Sequence, residues 1–162
     1  MVIVRGTRRF LDHTGGPNTG EGQISTTTLG DWYATVLPGR PQVALFVNET
    51  TLLPVLTPLA PARSVISRFP PALAEVLAAH GLDATFISVE IAQMSHAALA
   101  LTRNRSVVGI MNEFSFLAGP QRGDDLLALS VHLARTPCSP LYRRHISPDR
   151  ELHAAVAAHR PR

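Results

Sequence analysis

Four polar positions in one segment have the spacing that a binding surface needs. Arg105, Gly109, Asn112 and Glu113 lie four, seven and eight residues from the first, which groups them on one side of a helix. Val107, Met111 and Phe114 mark the opposite, apolar side. Arg105 opens the helix, where the macrodipole repels a cation. Gly109 costs about 1 kcal/mol against alanine in a helix interior and leaves room for a ligand or a second backbone. Two locally unfavourable residues on one face are what a binding surface can look like. The structural alternative pairs Arg105 with Glu113 or Glu49, fits Gly109 into a tight helix–sheet crossing, and bonds Asn112 to a loop.

A second polar pair, Asn48-Glu49, ends an apolar run, and strand ends often present functional groups. Asn also tolerates the left-handed conformation, so turn chemistry with Thr50 and Thr51 is the plainer reading. Arg135, Tyr142, Arg143, Arg144 and His145 form a basic, partly aromatic tail that could hold phosphate and stack on a base. More often such a run is a solvated surface. Three function classes follow. The leading expectation is a non-catalytic binding or regulatory module using Asn48, Glu49, Arg105, Asn112 and Glu113 toward a protein or small molecule. Nucleic-acid binding through Arg135, Tyr142, Arg143 and Arg144 is the second. An enzyme with Glu49 and Glu113 as acid and base, oriented by Arg105, is the third.

Other chemistry has little support. Seven histidines are present, but none forms HxxxH or HExxH, so no metal site is expected. Cys138 could act as a nucleophile only with His132 or His145, and a lone cysteine among scattered histidines is usually inert. No phosphate loop, dinucleotide fingerprint or nucleophile elbow is found, so no cofactor is expected. Asn48-Glu49-Thr50 and Asn104-Arg105-Ser106 match the glycosylation sequon by chance.

The elements that would carry these residues read as α+β. The 162 residues suit one domain, and 45% apolar with 17% charged residues is a globular balance. A single cysteine excludes an internal disulfide and points to a reducing compartment, taken as the cytoplasm. The N-terminal segment lacks an apolar h-region, and no apolar run nears the ~18 residues that span a bilayer. All 15 basic residues are arginine, which coding bias explains more simply than selection for bidentate contacts; the net charge of +3 is small.

Val2–Val4 reads as a strand and Thr7 as a cap for a helical turn. Residues 14–28, rich in Gly, Thr and Ser, read as a flexible loop. Trp32–Leu37, Val43–Val47 and Thr51–Leu56 read as an antiparallel meander, with Pro54 marking an edge. Helices are expected at Pro71–His80, after Asp83, from Asn104 to Ala118 ending at Gly119-Pro120, at Asp124–Arg135, and after Ser147. Thr136–Ile146 should be extended. The expected fold is a small antiparallel sheet of three to four strands, covered on one face by four to five helices.

Three segments carry a family likeness. They are Leu29-Gly30-Asp31-Trp32-Tyr33-Ala34, Leu45–Leu52, and Asn104-Arg105-Ser106-Val107-Val108-Gly109-Ile110-Met111-Asn112-Glu113-Phe114. Together they resemble a bacterial family of domains of unknown function. Its members carry a tryptophan-led strand, a strand ending in Asn-Glu or Asn-Asp, and an Arg-Ser-Val-x-Gly-x-Met-Asn helix. The likeness runs to about Leu117; the tail from about 120 to 162 is less familiar. A similar arrangement precedes plasmid- or transposon-associated domains in longer proteins, which implies a mobile-element or regulatory context. It implies no reaction or catalytic residue.

Overall fold

A computed structural model describes residues 1–19, 22–119 and 123–159. Among them are five strands: β1 (Val2–Gly6), β2 (Trp32–Leu37), β3 (Val43–Asn48), β4 (Pro54–Pro58) and β5 (Ala97–Leu101). They form one sheet in the order β4-β3-β2-β1-β5. The expected meander is present, since β2 pairs with β3 and β3 with β4 antiparallel. The sheet is mixed, however, because β1 runs parallel to both β2 and β5. The purely antiparallel expectation fails there. The chain reaches β2 from β1 through a long crossover, the kind of connection that parallel neighbours need.

β5 has no counterpart in the sequence reading. Ala-Ala-Leu-Ala-Leu has no β-branched residue and reads as helix by propensity. Five consecutive pairings with β1, from Val2↔Ala97 to Gly6↔Leu101, override that preference.

Helices cover both faces, where one was expected. On one side α1 (Arg8–Thr14), α2 (Val65–Ala79), α3 (Ala84–Ala92) and α6 (Pro148–Ala158) pack on Val2, Val4, Trp32, Ala34, Phe46 and Val55. On the other, α4 (Arg105–Ala118) and Leu133 of α5 (Leu126–Leu133) pack on Tyr33, Leu37, Leu45 and Val47. β3 is buried at every position, so its alternate residues feed both cores. That two-sided burial already called for a second helical layer.

α2 begins at Val65, six residues before the expected start, and carries Pro70 and Pro71 inside it. Both prolines forgo a helical hydrogen bond. Packing outweighs the loss: Phe69 is buried, stacks on Phe46 at 4.1 Å between centroids and meets Trp32 edge-on at 5.1 Å. The expected extended run Thr136–Ile146 is instead a set of turns around a 3-10 helix, Ser139–Leu141. The Ile146 carbonyl accepts from the Cys138 amide at 2.9 Å and closes it into a compact loop.

The caps at Thr7, Asp83 and Asn104 are formed as the sequence indicates. Gly119 ends α4, while Pro120 lies outside the described residues. So do residues 20 and 21 of the expected flexible loop. What is described of that loop is anchored. The wholly buried carboxylate of Glu90 in α3 accepts from the amides of Thr28 and Leu29 at 2.9 and 3.0 Å.

Each sheet edge is capped at one outward-facing residue. At β5, Asn18 accepts from the Leu99 amide at 2.8 Å and its own amide donates to the Leu99 carbonyl at 3.0 Å. At β4, the Ser130 hydroxyl accepts from the Leu56 amide at 3.0 Å. Among the described residues no helix is long and apolar enough to cross a membrane.

Candidate functional site

α4 is set by its cap and its apolar stripe. The Asn104 side chain accepts from the Ser106 and Val107 amides at 2.9 and 3.4 Å. Val107, Ile110, Met111 and Phe114 then dip into the core below. The opposite positions, Arg105, Gly109, Asn112 and Glu113, are all exposed. A Cβ built on Gly109 would meet nothing within 4 Å, so no helix–sheet crossing accounts for that glycine. Sequence reasoning missed Phe116, which continues the same stripe and is 84% exposed. Its spacing of seven from Gly109 carried the signal.

Asn48 and Glu49, adjacent in sequence, have different roles. Asn48 is fully buried. Its amide donates to the carbonyls of Leu29 and Asp31 at 2.8 and 3.3 Å. Its oxygen accepts from the amides of Thr50 and Thr51 at 3.1 and 2.9 Å, and from the Thr51 hydroxyl at 3.1 Å. Every polar atom of that side chain is spent on the β3–β4 turn, so it offers a ligand nothing. Glu49 faces outward instead. Its carboxylate accepts from Arg103 Nε at 3.3 Å and Nη2 at 3.2 Å, and from the Tyr33 hydroxyl at 3.3 Å.

Arg103 belongs to a chain of charges absent from the sequence reading. Arg5 Nε donates to Asp31 Oδ2 at 2.9 Å, and Arg103 Nη2 reaches the same oxygen at 3.4 Å. Asp31 Oδ1 accepts from the Ser25 hydroxyl at 2.7 Å. Two cations thus alternate with two carboxylates in the order Arg5–Asp31–Arg103–Glu49. Asp31 lies within one of the family-like segments, and Arg103 directly precedes the Asn104 cap; neither position has a helical or strand period to betray it. The Tyr33 hydroxyl accepts from the Asn104 amide at 3.0 Å and so ties β2 to the head of α4. Burial first, then the Glu49 charge, pushes the Tyr33 phenol above its ordinary value, so it stays protonated. The hydrogen bond to Glu49, first among the causes, raises the Arg103 guanidinium further above its already high ordinary value.

This chain borders a crevice of about 590 Å³. The topology explains its place. After β1 the chain passes to α1 on one face, and after β5 to α4 on the other. Such a reversal leaves a gap outside the carboxyl ends of adjacent parallel strands. Ile3, Ala100, Arg5, Thr102, Arg103 and Gln23 are among the residues that line it.

Of the three residues in the enzyme reading, Glu49 is bound to Arg103 and Tyr33. Arg105 makes no ion pair with Glu49 or Glu113 among the described residues. Glu113 lies about 12 Å further along the helix axis than Arg105, at 1.5 Å per residue. Its charge is instead felt by Cys138, whose thiol is pushed up to about 12, chiefly by burial. A thiol so shifted is a poor nucleophile. It donates weakly to the Thr136 carbonyl at 3.4 Å, while His145 Nδ1 faces Glu151 at 3.0 Å.

Of the basic tail, Arg135, Tyr142 and Arg143 are exposed. Arg144 is bound to the buried Glu151 and donates to the Thr50 carbonyl at 3.3 Å, so it pins the tail to the β3–β4 turn.

The fold and site together define a mixed-sheet α+β domain, helices on both faces, with a charged crevice at its strand switch. Residues 3–151 match the family model of a domain of unknown function, DUF6933, and the chain belongs to that family. No curated protein and no solved structure matches it.

Proposed function

We propose that this domain is a non-catalytic binding module that takes a small carboxylate-bearing ligand of low net charge in the crevice at the ends of β1 and β5. One observation carries the reading. Arg103 has 58% of its side chain exposed at the crevice wall, yet its guanidinium is fixed by hydrogen bonds to two carboxylates. A long exposed cation usually loses rotamer freedom when it binds, and here that ordering is already done. Its Nη1 and the Nη2 of Arg5 are not used by Asp31, Glu49 or Leu101, and guanidinium donors of this kind bind carboxylates. The alternation of two cations with two anions keeps the rim near neutral, which favours a ligand of low charge over a polyanion such as nucleic acid.

In this reading Glu49 positions Arg103, and Asn48 holds the turn that positions Glu49. A cytoplasmic setting accords with the single cysteine, buried as a free thiol. Amide-resolved NMR titration with a series of mono- and dicarboxylates tests the site. Saturable shifts at Thr102, Arg103 and Gln23 are expected, abolished by Arg103→Ala and left intact by Arg105→Ala. If no carboxylate produces saturable shifts there, or if Arg103→Ala leaves them unaltered, the reading fails.

A further inference from the structure

α4 presents a face that the described fold leaves bare. Arg105, Gly109, Asn112, Glu113 and Phe116 make one stripe along its 14 residues, and all five are exposed. Arg105 stands against the dipole of its own helix, in the first turn where the helix end is positive. Neither Arg105 nor Glu113 is in an ion pair among the described residues. Gly109 lies midway between them, and nothing in the described chain needs its missing side chain.

We infer that α4 is the contact helix of a two-fold homodimer, crossing α4 of a second copy antiparallel at Gly109. Positions equidistant from the crossing then face each other. Arg105 and Glu113 are each four residues from Gly109, so Arg105 of one copy meets Glu113 of the other, twice. Because the second helix runs the opposite way, Glu113 also meets the positive first turn of the second copy's α4. Arg105, Gly109 and Glu113 form an i±4 row, the ridge that interdigitates in the commonest helix crossing, at about −50°. A glycine at the centre of that ridge lets the two axes approach closely. Phe116, 84% exposed, lies on the same face toward the end of the helix.

Self-complementarity selects a second copy over an unrelated helix. Opposite charges placed symmetrically about a glycine are what an isologous contact requires, since one surface must serve as both partners. The contact is small. A 14-residue helix is about 21 Å long, and one helix pair buries less than the ~800 Å² per partner of a standard interface. The dimer is therefore concentration-dependent.

Sedimentation equilibrium of the full chain, from about 1 μM to about 1 mM, tests this on the scale of weak interfaces. Wild type should shift from monomer to dimer within that range. Arg105→Glu and Glu113→Arg, each at an exposed position, should both remain monomeric with unchanged circular dichroism. An equimolar mixture of the two should recover association, because one copy then presents only acids and the other only bases at the crossing. The double variant Arg105→Glu/Glu113→Arg should self-associate again. A wild-type chain monomeric throughout overturns the inference. So does either single variant dimerising like wild type, or a mixture that stays monomeric.

Discussion

Replacing Gly109 by alanine should make the isolated domain more stable. The substitution adds a Cβ that touches nothing within 4 Å, so it neither clashes nor gains a contact. What remains is the backbone term: glycine in a helix interior is less favourable than alanine by about 1 kcal/mol, because its unfolded chain is freer. At ~2.1 cal/mol/K per residue, the 162 residues unfold with an entropy of about 0.34 kcal/mol/K. One kcal/mol then raises Tm by about 3 °C. Calorimetry below about 5 μM, where a weak dimer is dissociated, isolates this effect. At about 1 mM the gain should shrink or reverse, since the added methyl holds the two α4 axes apart and the dimer no longer stabilises the native state. A lower Tm for the alanine variant in dilute solution would refute the reasoning. It would mean that Gly109 serves the fold of a single chain.

Other substitutions should separate structure from recognition. Asn48→Ala removes the partners of two turn amides and a buried carbonyl, each costing about 1–3 kcal/mol when left unpaired, so urea denaturation should show a loss of at least about 3 kcal/mol. Cys138, with its thiol raised to about 12, should resist iodoacetamide at pH 8 in the folded protein and react once urea unfolds it; native-state labelling at the rate of a free thiol would contradict this. Burial lowers the pKa of His80, so the unfolded chain binds the extra proton. Its contribution is full above the ordinary value of 6.5 and is lost as pH falls through the lowered folded value. Tm should therefore drop on acidification below pH 6.5, and His80→Gln should flatten that dependence.

Much of the architecture was legible where local signals agreed with packing. The Trp32–Leu37 and Val43–Val47 strands announce themselves by apolar runs broken at Pro38-Gly39, and α4 by its Asn104 cap and helical period. β5 was not, because its alanines gain strand geometry only from β1, which is 95 residues away at every pair of the register. The start of α2 was hidden by Pro70 and Pro71, whose cost is outweighed by the aromatic contacts of Phe69. The site was legible in part. Periodicity places Arg105, Asn112 and Glu113 outward, but it cannot reveal that Glu49 holds Arg103, since that pair joins a turn to a strand end 54 positions on. Asn48 looked like a functional group at a strand end because the sequence shows its chemistry and not its burial.

The capped edge at β5 depends on one short segment. Asn18 gives β5 a stand-in for a neighbouring strand, but it does so from a loop, with only a few hydrogen bonds to keep it in place. If that loop lifts, the outer backbone of Leu99 is bared and can recruit extended chain from any source. Asn18→Pro deletes the Asn18 amide donor and its side-chain acceptor, leaving only the Thr19 amide on Leu99, and should raise strand-to-strand association above that of wild type.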